Sequence, residues 1–386
     1  MPIISNRFPQ ICSPLGLGLN PLVMRAGEAG SSQVCFSLRG AQTPPTDSEP
    51  HSVADQLDRL GMRGSRSEAT WVGCCELEAL ENEAADLPLA ALLLDTLRAH
   101  ATLAPAPQLM GVLNVTPDSF SDGGRFLHIE AALDQGRRLA AEGAAVLDVG
   151  GESTRPGAQP VCEEEEMQRV LPVIRGLAAE LPIPLSIDTT KASVAQAALE
   201  AGASWVNDVS GCEVDGRMLS VVAEYGARVV LMHSQGTPQE MQANPAYENP
   251  TEQVAHYLRS RAAACIAAGV DPAQILIDPG IGFGKRLKHN VSLLRELPVL
   301  RSLGLPVLVG VSRKSFIGHI MGSEDQTQWQ RGSAAQEPQE RLGGTAAALG
   351  VCVLGGAEYL RVHDVAVMAE AASVAAALRP HPEAQA

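Results

Sequence analysis

From residue 109 onward the chain alternates short apolar runs with longer helix-like segments. The apolar runs predict strands at 109–115, 145–150, 185–189, 205–209, 229–233, 275–278, 307–312 and 359–363. The intervening segments predict helices at 129–142, 163–180, 193–201, 216–225, 251–268, 290–297, 341–354 and 365–378. Strands that each lead into a helix predict a parallel sheet with helical crossovers. Eight such units over residues 109–380 have the size of a (β/α)₈ TIM barrel, for which about 250 residues is typical. A doubly wound open sheet is the alternative, and the count of eight with the placement of polar residues favours the barrel. Residues 1–108 lack this alternation. Thr43-Pro44-Pro45-Thr46-Asp47-Ser48 reads as an irregular loop, 87–100 as a short apolar helix with Asp86 as its N-cap, and Ala104-Pro105-Ala106-Pro107 as a linker. The chain is therefore expected to divide into an N-terminal extension, 1–108, either a small accessory domain or partly disordered, and a barrel, 109–380.

Aromatic residues make up only 3% of the chain, so its core must be aliphatic, as in strands buried on both faces. The net charge of -15 argues against a general nucleic-acid binder. It leaves room for an anionic small molecule held locally by Arg, Lys and helix N-termini. The eight cysteines show neither a C-x-x-C pair nor zinc-like spacing, which suits free thiols in a reducing compartment. No apolar run reaches the length of about 20 residues that a membrane span needs. Pro9, Pro14 and Pro21 break the single candidate for a signal segment, so a cytoplasmic protein is expected.

In such a barrel the active site lies at the C-terminal ends of the strands. That is where the unusual residues fall: Asn114, Asp148, Asp188, Asn207 with Asp208, Met232 with His233, Asp278, Ser312 with Arg313 and Lys314, and Arg361 with His363. One Asp at a strand end is more often a turn former or a helix cap. Polar residues at all eight ends exceed what caps require. Asp188, Asn207 and Asp278 on the middle strands suit a heterocycle rich in N–H groups, because buried carboxylates need donors. Lys314, Arg361 and His363 on the last two strands form a positive cluster suited to a phosphate or diphosphate. Asn114 and Asp122, from the first strand and its loop, suit a hard cation such as Mg²⁺. Glycine-containing loops at 116–125 and 150–157 have the composition of lids that close over a substrate.

The segments LMGVLNVTPDSFSDGG (109–124) and DVGGESTRPG (148–157) closely resemble two signatures of dihydropteroate synthases. Ser186-Ile187-Asp188-Thr189, Asn207-Asp208, Leu231-Met232-His233, DPGIGFGK (278–285), Ser312-Arg313-Lys314 and Arg361-Val362-His363-Asp364 follow in family order. The resemblance implies an enzyme of folate biosynthesis in which 4-aminobenzoate displaces diphosphate from (7,8-dihydropterin-6-yl)methyl diphosphate to give 7,8-dihydropteroate. By carry-over, Asp188, Asn207, Asp278 and Lys314 hold the pterin, with Met232 lining its pocket. Asn114, Arg361 and His363 bind the diphosphate, with Asn114 on the bridging Mg²⁺. Thr154, Arg155, Pro156, Phe283 and Ser312 frame the aminobenzoate, and Asp122 orders the closed state. The implied catalytic set is Asp122, Lys314, Arg361 and His363, and the implied assembly is a homodimer. Ser234, a polar insertion at 322–338 and the extension 1–108 depart from the family pattern. The rival readings are a pterin-binding methyltransferase domain, which handles no diphosphate, and a catalytically silent pterin-binding paralogue.

Overall fold

The computed structural model of the chain describes residues 18–26, 32–39, 59–61, 63–67, 70–87, 90, 106–116, 125–153, 159–236, 240–241, 244–301, 303–321 and 338–379. Near the N-terminus, β1 (Gly18–Ala26), β2 (Ser32–Arg39), β3 (Arg63–Ser67) and β4 (Thr70–Glu76) form an antiparallel sheet in the order β1-β2-β4-β3. Antiparallel neighbours need no helical crossover, which is why this region shows no strand–helix alternation. Helix α1 (Leu77–Glu83) follows, and Asp86 closes its last turn by donating its backbone N–H to the Glu83 carbonyl at 3.1 Å. The loop expected at 43–48 lies outside the described residues, as does most of the helix expected at 87–100.

The barrel strands are β5 (Gln108–Asn114), β6 (Val146–Gly150), β7 (Leu185–Asp188), β8 (Trp205–Asp208), β9 (Arg228–Met232), β10 (Ile275–Asp278), β11 (Leu308–Val309) and β12 (Tyr359–Val362). They run parallel in the order β10-β9-β8-β7-β6-β5-β12-β11. Ile277 of β10 bridges Val307, next to β11, and donates its N–H to the Pro306 carbonyl at 3.0 Å. That bridge joins the two ends of the sheet, so the structure is the expected (β/α)₈ barrel and not an open sheet. The seventh strand, β11, is the shortest in the ladder.

The helices are α2 (Arg125–Ala141), α3 (Glu163–Glu180), α4 (Ala192–Glu200), α5 (Met218–Tyr225), α6 (Pro250–Ala267), α7 (Leu287–Arg295), α8 (Leu297–Arg301), α9 (Ser315–Met321), α10 (Leu342–Leu354) and α11 (Val365–Ala377). The helix expected at 290–297 is two helices that break at Glu296. Pro298, at the second position of α8, is tolerated there because the first turn of a helix needs no N–H donor. Helix α9 was not expected, since two turns carry too few residues to show a period. Of the insertion at 322–338, only Pro338 is described, opening a short 3₁₀ turn before α10. No described helix is long and apolar enough to cross a membrane.

Strand side chains alternate between faces, and in a barrel those faces are inside and outside. Leu147, Val149, Ile187, Val206, Leu231, Ile277, Val309 and Leu360 face outward into the main core beneath the helices. Met110, Val146, Trp205, Val230, Leu276 and Leu308 point inward and form a second apolar cluster, against which Tyr359 packs. This cluster is the floor of the barrel. The Trp205 ring meets Tyr359 edge-on at 5.3 Å, and the Arg228 guanidinium lies 4.8 Å from the Trp205 ring centre. Two residues further along each strand, the same inward parity delivers Asp148, Asn207, Met232, Asp278 and Arg361 to the mouth. Removing the largest floor side chain leaves a void the closed sheet cannot collapse into. Trp205→Ala is expected to lower unfolding stability by about 3–5 kcal/mol, read from urea denaturation.

Candidate active site

The barrel mouth is built on one guanidinium. Arg361 extends from β12, donating from Nε to Asp148 Oδ2 at 2.6 Å and from Nη2 to Asp188 Oδ2 at 2.7 Å. Asn207 Nδ2 donates to the same Asp148 oxygen at 2.9 Å. Asp148 is fully buried and Asp188 nearly so. Burial pushes the Asp188 carboxyl up to about 7, against the opposing charge of Arg361 and with help from Asp148. For Arg361, burial acts to lower the pKa, but Asp148 and Asp188 prevail and hold it above its usual range. Asp148 Oδ1, Asp188 Oδ1 and Ser186 Oγ are buried without a hydrogen-bond partner among the described residues.

The positive and acceptor groups are therefore not two separate patches, as the sequence grouping implied. The pairing of β12 with β5 brings Arg361 across to the carboxylates of β6 and β7. Asp208 takes no part in the mouth. Its parity is opposite to that of Asn207, and it accepts from the Ser210 N–H at 2.7 Å and the Ser210 hydroxyl at 2.6 Å.

Lys314 follows β11. Its amine donates to the Ile281 carbonyl and lies 4.7 Å from the centre of the Phe283 ring. Burial lowers its pKa to about 8; Asp278 opposes the shift and Arg361 adds to it. Burial likewise raises the Asp278 carboxyl, against the charge of Lys314 and a hydrogen bond from the Gly280 N–H at 2.7 Å. His363 Nδ1 lies 3.0 Å from the buried Ser312 hydroxyl. Between Ser312 and Lys314, Arg313 adopts φ 59°, and its Nε donates to Asp364 Oδ2 at 2.9 Å. The strained residue is held from several sides, since its N–H donates to Thr345 Oγ1 at 3.1 Å and its carbonyl accepts from Arg341 at 2.7 Å. Asn114 is partly exposed at the end of β5. Gly150 stands between Asn114 and Asp188, where a Cβ would lie 3.8 Å from Asn114 Oδ1 and 3.5 Å from Asp188 Cβ.

The structure thus brings together Asn114, Asp188, Asn207, Met232, Asp278, Phe283, Ser312, Lys314, Arg361 and His363 at the C-terminal ends of the strands. Asp122, Thr154, Arg155 and Pro156 lie outside the described residues. Three groups were not assigned a role from sequence. Asp148 is the first, although its inward parity with Val146 is a legible signal. The second is Lys285, whose buried amine lies 2.9 Å from His233 Nδ1, 3.1 Å from the His233 carbonyl and 2.9 Å from the Phe283 carbonyl. Burial, then the Lys285 charge, lowers the His233 imidazole to about 3, and burial holds the Lys285 amine itself well below the usual lysine range. The third is Lys191, which bridges Glu152 in the second glycine loop to the buried Glu166 of α3. Nothing in the spacing of these last residues announces their contacts.

Residues 110–363 match the pterin binding enzyme family. The chain is 46% identical over 270 residues to a dihydropteroate synthase of Synechocystis sp., which covers 70% of this chain and 89% of that one. The dihydropteroate synthase of Escherichia coli is 42% identical over 268 residues, 69% of this chain and 90% of the relative. The solved Xanthomonas albilineans dihydropteroate synthase with 4-aminobenzoic acid superposes with a TM-score of 0.64 at 46% identity, covering 72% of this chain and 95% of that one. The chain belongs to the dihydropteroate synthase family. A Yersinia pestis dihydropteroate synthase solved with a sulfonamide drug is also similar, with a TM-score of 0.64, 41% identity and coverage of 70% of this chain and 94% of that one.

In this dihydropteroate synthase the loop after β10 rests directly on the end of β9. A Cβ at Gly280, where φ is 66°, would run into the His233 carbonyl oxygen. Gly280→Ala is expected to cost about 2–4 kcal/mol of stability through strain and displaced backbone, and to loosen ligand binding at Asp278. Urea unfolding and a pterin titration on the same variant check both effects.

Proposed function

We propose that this barrel mouth performs dihydropteroate synthesis with a division of labour read from its geometry. The activity is that of the family: 4-aminobenzoate displaces diphosphate from (7,8-dihydropterin-6-yl)methyl diphosphate, giving 7,8-dihydropteroate for folate synthesis. The observation that carries the assignment is an edge of buried acceptors beside cations in one mouth. Asp188, Asn207 and Asp278 take the N–H groups of the pterin, with Lys314 at its carbonyl side and Met232 against its ring. Arg361 and His363 receive the diphosphate. Phe283 and Ser312 frame the aminobenzoate together with Thr154, Arg155 and Pro156, and Asp122 orders the closed loop. Xanthomonas albilineans relatives solved with 4-aminobenzoic acid and with 7,8-dihydropteroate support these two molecules as ligands of the mouth, and the Yersinia pestis relative solved with a sulfonamide drug supports the chain as a sulfonamide target.

Among the described residues no group of three or more His, Cys, Asp or Glu side chains could hold a metal ion. Asn114 offers one amide oxygen, which fits a Mg²⁺ that draws its other ligands from diphosphate and water. Bound there, Mg²⁺ would neutralise charge on the leaving diphosphate.

The methylene C–O bond breaks with its electron pair going to the diphosphate oxygen. The positive charge left behind spreads into the electron-rich pterin, where Asp188 and Asp278 face it. The aminobenzoate nitrogen then bonds to the methylene carbon and releases a proton. No protein nucleophile is needed, and the side chains act by preorganised electrostatics, where one well-placed group is worth roughly 3–4 kcal/mol. We assign this chemistry to residues 109–380, with 1–108 an N-terminal extension that is either a small accessory domain or partly disordered. A homodimer is the proposed assembly, supported by exposed Val351 and Leu354 on α10 and Val367 and Val374 on α11. The free thiols of Cys162, Cys212, Cys265 and Cys352 support a cytoplasmic setting.

Purified protein given the pterin diphosphate, 4-aminobenzoate and Mg²⁺ is expected to form pteroate and release diphosphate only when 4-aminobenzoate is present. Pterin binding without product would support the silent paralogue instead. Asp188→Asn is expected to weaken pterin binding by about tenfold or more, because a ligand N–H then faces a mismatched amide; a calorimetric titration reads this. Lys314 carries its charge below its pKa of about 8 and loses it as pH rises. Hence kcat/KM should fall above that pH, and Lys314→Arg, which stays charged, should remove that limb of the profile.

A further inference from the structure

We infer that Asp148 sets the selectivity of the pterin site by fixing which end of the Asn207 amide faces the ligand. The inference rests on the assignment of Asn207 as a pterin ligand. Asp148 Oδ2 receives two N–H donors, Asn207 Nδ2 at 2.9 Å and Arg361 Nε at 2.6 Å. An oxygen so occupied carries no proton and can only accept. Asn207 must therefore turn its NH₂ toward Asp148. The flipped amide would set two acceptor oxygens against each other in a buried site, where little water screens the repulsion. The Asn207 side chain has no other hydrogen-bond partner among the described residues. Its Oδ1 is thus the end left for a ligand. Asp188, paired with Asn207 in the β7–β8 ladder, adds the buried, unpartnered Oδ1. The two oxygens form an acceptor edge that takes a heterocycle presenting N–H donors and rejects one presenting carbonyls.

Asp148 is on this account a positioning residue that acts through Asn207 and does not need to touch the ligand. Two substitutions separate orientation from bulk stability. Asp148→Ala frees the Asn207 amide to rotate. Asp148→Asn keeps an oxygen where Asn207 and Arg361 need an acceptor, and so preserves the amide's orientation.

The test measures Kd for 6-hydroxymethylpterin and for its counterpart with oxygen in place of the 2-amino group. The native protein prefers the amino ligand. Asp148→Ala should reduce that preference by about tenfold or more, the weight of one mispaired hydrogen bond, whereas Asp148→Asn should hold it within about threefold. If Asp148→Ala weakens both ligands equally and leaves the preference intact, Asp148 is only structural and the inference falls. Should Asp148→Ala not fold, the native protein decides. Nδ2 protons held on a buried carboxylate should exchange with deuterated water about 100-fold more slowly than those of a free asparagine amide, and free exchange would overturn the inference. Asn207→Ala is the control for the underlying assignment. Unchanged affinity for both ligands in that variant removes Asn207 from the pterin site, and the inference with it.

Discussion

Arg361 holds the centre of the barrel mouth together. Two carboxylates, Asp148 and Asp188, stand on adjacent strands with almost no access to water. Leaving either charge buried and unpaired would cost several kcal/mol. One guanidinium reaches both, with two donors aimed at two different side chains. A lysine in its place would offer a single point of charge and could not span the pair in the same plane. The cation also opposes the burial that raises the Asp188 carboxyl, so it sets how readily that carboxylate stays ionised to meet a ligand.

One positive charge faces two carboxylates, and the hydrogen bonds are incomplete as well. The second oxygens of Asp148 and Asp188 remain without donors among the described residues. A fold selected for stability alone has no use for such orphans, and a ligand that brings N–H groups is the simplest way to satisfy them. The barrel spends part of its stability on an unfilled acceptor edge, and substrate binding recovers it. Lys314 extends the logic to β11, where burial, aided by Arg361 and opposed by Asp278, lowers the pKa of its amine.

Rigidity comes from beneath and from the side. Below the mouth, the ring of Trp205, Tyr359 and their aliphatic neighbours fills the barrel, so the polar layer rests on a packed floor. Beside it, the loop after β10 passes through Gly280, Gly282 and Gly284, all at positive φ. Its shape is fixed by external bonds. Asn290 Oδ1 accepts from the Gly282 N–H at 2.8 Å, the Tyr247 hydroxyl donates to the Gly284 carbonyl at 2.9 Å, and Lys285 holds the Phe283 carbonyl. Phe283 thereby keeps its place over Lys314. Catalysis by preorganised charge depends on groups that do not have to move when the leaving group departs.

The sequence by itself determined the strand–helix alternation, because strands buried on both faces must be apolar and helices must carry a periodic apolar stripe. It also determined which residues reach the mouth, since strand alternation has a period of two and Asp188, Asn207, Asp278 and Arg361 each lie at an inward position near a strand's C-terminal end. Tertiary structure decided the partners. That Arg361 meets Asp148, 213 positions away in sequence, follows from the pairing of β12 with β5, the immediate neighbour of β6, which joins strands from opposite ends of the barrel's chain segment. That Lys285 holds His233 follows from one loop docking on another. Local periodicity reports which face a side chain takes, because that is settled by its own backbone. It carries no information about which other strand's side chain will stand opposite, because that is settled only when the sheet closes.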